Sequence, residues 1–410
     1  MNRFVRATAF AAFAAVLALG AGGTARAQTA SEPPAGPRMQ IYGFVQLDMI
    51  ADFNAVNPDW ADTLRPTRLP SYKDEFGPGG NYYADVKQTR FGVKGWLPTG
   101  YGELKTCFEF DLFGVGGDAG QTTMRVRQAW AELGPFLVGQ TQSVFMDLDV
   151  FPNTLDYWGP NGMVFYRNIQ LRWMPLQGDT RVWIALEQPG ASGDGGVYSD
   201  RVELQNIKAR FSLPDLTAQF RSSGKWGHVQ LAGVLRQIKW DDTLADQYDL
   251  SGSATGWGLN LSTNLKAGAN DVIRASVIYG EGVENYMNDA PLDVGVQTNP
   301  GDKTKPIKGK ALPVLGIVAF LDHNWSDKFS TAIGYSRVDI SNSDGQLPSD
   351  FKTGQYAAVN LLWTPVKNVM TGAEFLWGNR KNNSDGFSSD DYRIQVSFKA
   401  NFDYMLGGKK

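Results

Sequence analysis

The chain has 410 residues with 39 basic and 42 acidic side chains, two histidines and one cysteine. A slight acidic excess argues against nucleic acid as a partner, a single thiol excludes an internal disulfide or a cysteine zinc cluster, and two histidines leave little room for metal or triad chemistry. Past the N-terminus no apolar run approaches the roughly 18 residues a membrane-spanning helix needs.

Residues 1–27 read as a secretory signal. Arg3 and Arg6 give a basic start, 9–19 is a small apolar core, and Ala25-Arg26-Ala27 fits a cleavage site. Removing its three arginines leaves 36 bases against 42 acids, a net charge of −6. Residues 28–38, with Pro33-Pro34, read as a short flexible leader, and 39–410 as one domain.

That domain alternates. In 41–53, Tyr42, Phe44, Gln46, Asp48 and Asp52 share one face, and Val45, Leu47, Met49 and Phe53 the other. After a long polar loop at 54–83, strands are expected near 84–97 and 103–113. The latter sets Glu103, Lys105, Cys107, Glu109 and Asp111 against Leu104, Phe108, Phe110 and Leu112. A strand sends successive side chains to opposite faces, so this segment has one charged face and one oily face. A Gly-rich tip at 114–121 leads to strands near 122–134 and 136–143.

Residues 144–161 are too apolar and aromatic for a loop in solvent, and Phe145, Phe151, Tyr157 and Trp158 require burial. This loop is expected to fold inward. Strands then follow near 164–174, 180–188, 215–222, 226–240, 254–266, 270–281, 311–325, 329–341, 354–365, 367–380 and 391–404. Residues 202–211 are strand-like but are assigned to an external loop, because counting them would spoil the alternation of long loops with short turns.

The same two-faced pattern recurs with too little helix or second sheet to cover it. The expected fold is all-β: a transmembrane antiparallel β-barrel of about sixteen strands, lipid outside and water inside, with an inward constriction loop. Trp130, Trp173, Trp325, Trp363 and Tyr404 are expected in an interfacial belt near the periplasmic ends. Trp96 has the parity of Arg90 and does not fit it.

Several stretches carry a family resemblance. They are Gln88-Thr89-Arg90-Phe91-Gly92-Val93-Lys94-Gly95, 102–114, 139–168 with Val150-Phe151-Pro152-Asn153 and Tyr157-Trp158-Gly159-Pro160, 254–265, Tyr279-Gly280-Glu281-Gly282 and Ile333-Gly334-Tyr335-Ser336-Arg337. On these the chain resembles the DcaP-like trimeric porins of Gram-negative outer membranes, over essentially all of its mature length. The resemblance implies sixteen strands, a homotrimer in outer-membrane lipid, and diffusion of small anions such as dicarboxylates. Some members carry a coiled coil before the barrel; 28–38 has no heptads, so none is expected here.

A pore needs a diameter and a field rather than a catalyst or cofactor. Parity turns Arg90, Lys94, Arg125, Arg127, Arg172, Arg181, Arg236 and Arg274 inward. Arg125, Arg127, Arg172 and Arg181 flank the inward loop, and Asp147, Asp149 and Asp156 lie on it. Acids facing bases across a narrow slot would set up a transverse field, or hold the loop by ion pairs. Arg125 and Arg127 are expected to dominate anion preference. A hydrolase using His228 or His323 lacks a nucleophile elbow and an evident Ser and acid partner; the remaining alternatives are a non-selective general porin and, behind it, an adhesin or receptor displaying 54–83 and 188–214.

Overall fold

Alternating charge closes this sheet into a cylinder. The computed structural model describes residues 36–114 and 123–408. Its ring strands are β1 (Arg38–Asp52), β2 (Arg90–Thr99), β3 (Gly102–Asp111), β4 (Arg125–Leu133), β5 (Phe136–Gln142), β6 (Arg167–Leu176), β7 (Thr180–Glu187) and β8 (Asp215–Gly224). The second half contributes β9 (Gly227–Asp242), β10 (Gly252–Ala267), β11 (Asp271–Glu281), β12 (Pro313–Asn324), β13 (Phe329–Ile340), β14 (Phe351–Val366), β15 (Val369–Asn382) and β16 (Ser388–Gly407). Each pairs antiparallel with the next, and β16 returns to β1 from Arg38↔Gly407 to Asp52↔Arg393. Closure removes edge strands, which hydrocarbon would leave unsatisfied.

Expected and observed strands agree within a few residues, except that the ring strand expected from 84 begins at Arg90. The stretch 202–211 stays off the ring: a short 3-10 helix, Val202–Asn206, precedes strand Ile207–Arg210, which pairs only with the upper end of β9. Asn81–Asp85 likewise pairs antiparallel with the end of β1, from Asp48↔Asp85 to Asp52↔Asn81, and Val294–Thr298 with Ile307–Ala311 forms a separate hairpin. The expected signal at 1–27, the leader up to residue 35 and the glycine-rich tip at 115–121 lie outside the described residues.

The two faces fall as alternation requires. Glu109, Asp111, Arg393 and Gln395 are buried toward the lumen, while Phe108, Leu361 and Phe398 are exposed on the outer wall, where lipid lies. One bulge corrects the reading. Glu109 pairs with Gln128 and Phe110 with Val126, so Arg127 is an extra residue in β4. It keeps Arg127 inside with Arg125 but reverses parity below, because one extra residue flips every later side chain. Trp130 therefore sits opposite Cys107, facing inward, and bonds Gln128 through its indole nitrogen at 2.8 Å. It does not belong to the belt, whereas Trp173, Trp325, Trp363 and Tyr404 are exposed as expected.

The packed apolar core lies inside the ring. One cluster joins Phe145, Met146 and Val164 to Val234, Ile278, Val314 and Val338 of the wall. A second joins Leu64, Leu69, Val150 and Met163 to Val318, Tyr356 and Leu376. Residues from 143–166 and from the loop after β1 thus fill part of the lumen toward the long-loop end.

Candidate functional site

From Ser143 onward the chain leaves β5 and runs around the inner wall. Near β9 and β10, Gln230 donates to Met146 O at 3.1 Å and Asn260 to Phe145 O at 3.0 Å. Asp147 accepts Ser262 Oγ at 2.6 Å and lies 2.7 Å from His228 Nε2, and Arg221 reaches both Asp147 and Asp149. Burial works against the charge of Asp147, yet His228, Ser262 and Arg221 hold its carboxyl below the usual range. Asp147, Asp149 and His228 stand close enough to share an ion. Arg221 engages both carboxylates, which makes the cluster an ion-pair network. His228 and Ser262 bond the same carboxylate oxygen of Asp147, which is not a nucleophile–base relay.

Further round, Asn360 donates to Asn153 O at 2.8 Å, and the amides of Leu155 and Asp156 donate to Glu374 at 2.9 and 2.8 Å. Asp156 is fully enclosed. It accepts the amides of Leu64 at 3.1 Å and Gly159 at 2.9 Å, and the Tyr356 hydroxyl at 3.3 Å. Burial pushes its carboxyl up to about 6 despite the pull of Arg393. At Gly162 the loop lies flat on β12 and β13. A Cβ there would meet Arg337 O at 2.2 Å, and one on Gly316 would meet Gly162 O at 2.2 Å, so both positions require glycine.

Tyr157 closes the circuit at β3 and β4. Its hydroxyl donates to Asp111 at 3.1 Å and accepts Arg127 at 2.6 Å, and Arg125 also reaches it. Arg125 and Arg127 each bind Asp111 at 2.7 Å, Arg127 binds Glu109 at 2.9 Å, and Arg90 stands 3.8 Å from Glu109. Two carboxylates of β3 thus hold three arginines, with the loop tyrosine as the fastener.

The eight anticipated residues fall into separate groups. Arg90, Arg125 and Arg127 form this knot. Asp147 and Asp149 face Arg221 on another part of the wall, and Asp156 binds amides and a tyrosine. Arg172 and Arg181 sit 4.7 and 4.9 Å from the Trp183 ring. Among the described residues neither has a carboxylate within 4 Å, and the same holds for Lys94, Arg167 and Lys399. Lys94 lies over Tyr42 at 4.7 Å and Lys399 over Phe44 at 3.8 Å. In place of the anticipated slot of acidic loop against Arg125 and Arg127, those two arginines pair with Asp111 and Glu109, and Asp147 and Asp149 pair with Arg221.

Three contributors escaped the sequence reading. Arg221 shares inward parity with Gln219 and could have been found there. Arg65, stacked between Trp60 at 4.3 Å and Trp158 at 4.0 Å and bound to Asp289 at 2.9 Å, lies in an aperiodic loop with no such signal. Arg167 has the parity of the outward Ile169, so alternation assigns it to the wrong side.

A family model described as DcaP outer membrane protein matches residues 35–402. Among solved structures, the outer membrane channel DcaP of Acinetobacter baumannii aligns over 90% of this chain and 98% of that one, with TM-score 0.74 and 22% identity. OmpT, an outer membrane protein of Vibrio cholerae, aligns over 91% and 99% with TM-score 0.55 and 12% identity. An anion-selective porin from Comamonas acidovorans aligns over 89% and 100% with TM-score 0.55 and 10% identity. At these identities the likeness is one of fold. No curated protein matches the sequence.

Proposed function

The chain belongs to the DcaP outer membrane protein family, and on that premise we propose that this outer-membrane porin passes small hydrophilic anions, dicarboxylate-like solutes among them, as a homotrimer exported by its segment 1–27. The observation that carries the anion reading is the set of lumen cations without carboxylates: Lys94 and Lys399 on one sector of wall, Arg172 and Arg181 on another. Guanidinium groups keep their charge at every working pH and bind carboxylates through two parallel bonds. Arg125 and Arg127 are already occupied by Asp111 and Glu109, so we assign them to anchoring the loop. The assembly reading takes support from OmpT of Vibrio cholerae, of which a trimer form is solved.

A negative net charge would by itself favour cations. Permeation samples the narrow interior, where charges act at a lower effective dielectric than on the surface, so the cations lining the path weigh more than the net charge of the chain. The test is the zero-current potential of the purified protein in a planar bilayer across a potassium chloride gradient, followed by addition of succinate. Anion preference and concentration-dependent current block are expected. Cation preference would overturn the reading.

A further inference from the structure

The wall steps at the top of β7. That strand ends at Glu187, and the chain returns to the ring only at Asp215, where β8 begins. On the way, Ile207–Arg210 pairs with the upper end of β9 alone, and among the described residues no strand fills the place above β7. Under this step lies a groove of about 700 Å³, floored by Val138, Leu171 and Leu186 and roofed by Phe211, Leu213 and Pro214. The floor is outer wall: Val138 pairs with Leu171 and Leu171 with Leu186, and each of the three is about half exposed. Hydrocarbon is the solvent on this face, so the groove suits an apolar chain, and Pro214 brings no amide donor into it.

Just above the groove the outer face is basic. Lys239 pairs with Arg210 and Asp241 with Lys208, so these four share a face. Trp240 between them points the other way, into the loops, where its indole donates to Leu250 O at 2.8 Å. Arg210 binds Asp241 at 2.9 Å and remains more than half exposed. Among the described residues neither Lys208 nor Lys239 has a carboxylate within 4 Å. Ser212 donates to Gln237 at 3.4 Å, which sets neutral polar groups between the patch and the groove. Leu186 is joined through Leu216 to Leu235, and Lys239 stands beyond Leu235 by about 13 Å of strand. Three bases with one acid thus overlook an apolar groove at the height of a lipid headgroup, where exposed bases attract anionic lipid.

We propose that this step binds one phosphate-bearing lipid of the outer leaflet, with its phosphate held by Lys208, Arg210 and Lys239 and an acyl chain seated in the groove beneath Phe211, Leu213 and Pro214. The lipid covers the place that the polypeptide leaves open above β7, and it braces the strand Ile207–Arg210 from outside.

The test is native mass spectrometry of the purified full-length protein in detergent with dilauroyl phosphatidic acid, dilauroylglycerol or inorganic phosphate. Retention of phosphatidic acid, and of neither the tails nor the phosphate alone, is expected. Lys239→Gln with Arg210→Gln should weaken it on the order of thirtyfold, the loss that two cations near a headgroup surface bring. Leu186→Trp should weaken it by filling the groove. Lys266→Gln with Lys328→Gln, exposed at the short-turn end, should leave it unchanged. Heat-modifiable migration shows that each variant is folded. Equal retention of dilauroylglycerol, equal binding of inorganic phosphate, an unchanged Lys239→Gln with Arg210→Gln variant, or an equal loss from the short-turn pair would overturn the proposal. So would lipid that binds only dissociated single chains, because a neighbouring chain would then cover the groove in the assembly.

Discussion

Two patches of the inner wall use the same residue type for opposite purposes. At β3–β4, Arg125 and Arg127 bind Asp111 and Glu109 and receive Tyr157, so every charge has a partner and the loop is pinned. At β6–β7, Arg172 and Arg181 share Trp183 and meet no carboxylate. The difference is the facing strand: β3 contributes acids opposite its neighbour's arginines, whereas β5 and β8 set Leu137 and Arg221 opposite theirs. An inward arginine is a fastener where the register supplies an acid; where it does not, Arg172 turns to Gln170 and the Gln142 carbonyl at 2.9 and 2.6 Å.

The largest expected effect comes from breaking the fastener on one side only. Asp111→Ala strands the Arg125 guanidinium and leaves Arg127 with Glu109 alone, and removing one partner of a buried pair typically costs about 3–5 kcal/mol. The refolded fraction on an unboiled denaturing gel should fall sharply, and surviving channels should be noisier as Tyr157 loses its acceptor. A stable, quiet Asp111→Ala channel would show that the knot does not hold the loop. Next is the outer wall at the same strand: Phe108→Arg places a charge toward hydrocarbon at a cost of about 2–4 kcal/mol. It should reduce assembly, with less effect on the conductance of the barrels that do form. A third effect is local. Gly162→Leu puts a side chain where Arg337 O lies, so the loop should lift from β12–β13 and change single-channel conductance with assembly largely intact. Unchanged conductance would mean the loop does not border the permeation path.

Much of the fold is legible in the sequence. The period-two pattern in 103–113 and 391–404 fixed both strand and face, since a lipid-exposed charge or a lumen full of leucine is costly. The exclusion of 202–211 from the ring followed from loop alternation alone. What alternation cannot carry is register. The extra residue at Arg127 moved Trp130 inside, and the pairing of Asp111 with Arg125 and Arg127 depends on which residues of β3 and β4 stand opposite. Arg65 and Arg167 belong to an aperiodic loop and to a place where the wall parts, so neither obeys the parity that found the others.

The smallest effect is ionic. Any selectivity set by exposed lumen cations should weaken between 0.1 M and 1 M salt, as the Debye length falls from about 10 to about 3 Å. A selectivity insensitive to salt would point instead to cations shielded from the pore water.

The central claim is that unpaired cations, and not the paired knot, set ion preference. It is tested by the zero-current potential in a salt gradient for Arg172→Ser with Arg181→Ser, compared with Arg125→Gln with Asp111→Asn. The second pair removes one positive and one negative charge together. The account predicts that the first double variant shifts the potential toward cations and the second leaves it at the wild-type value. The opposite result, a shift from the knot variant and none from Arg172→Ser with Arg181→Ser, would contradict it.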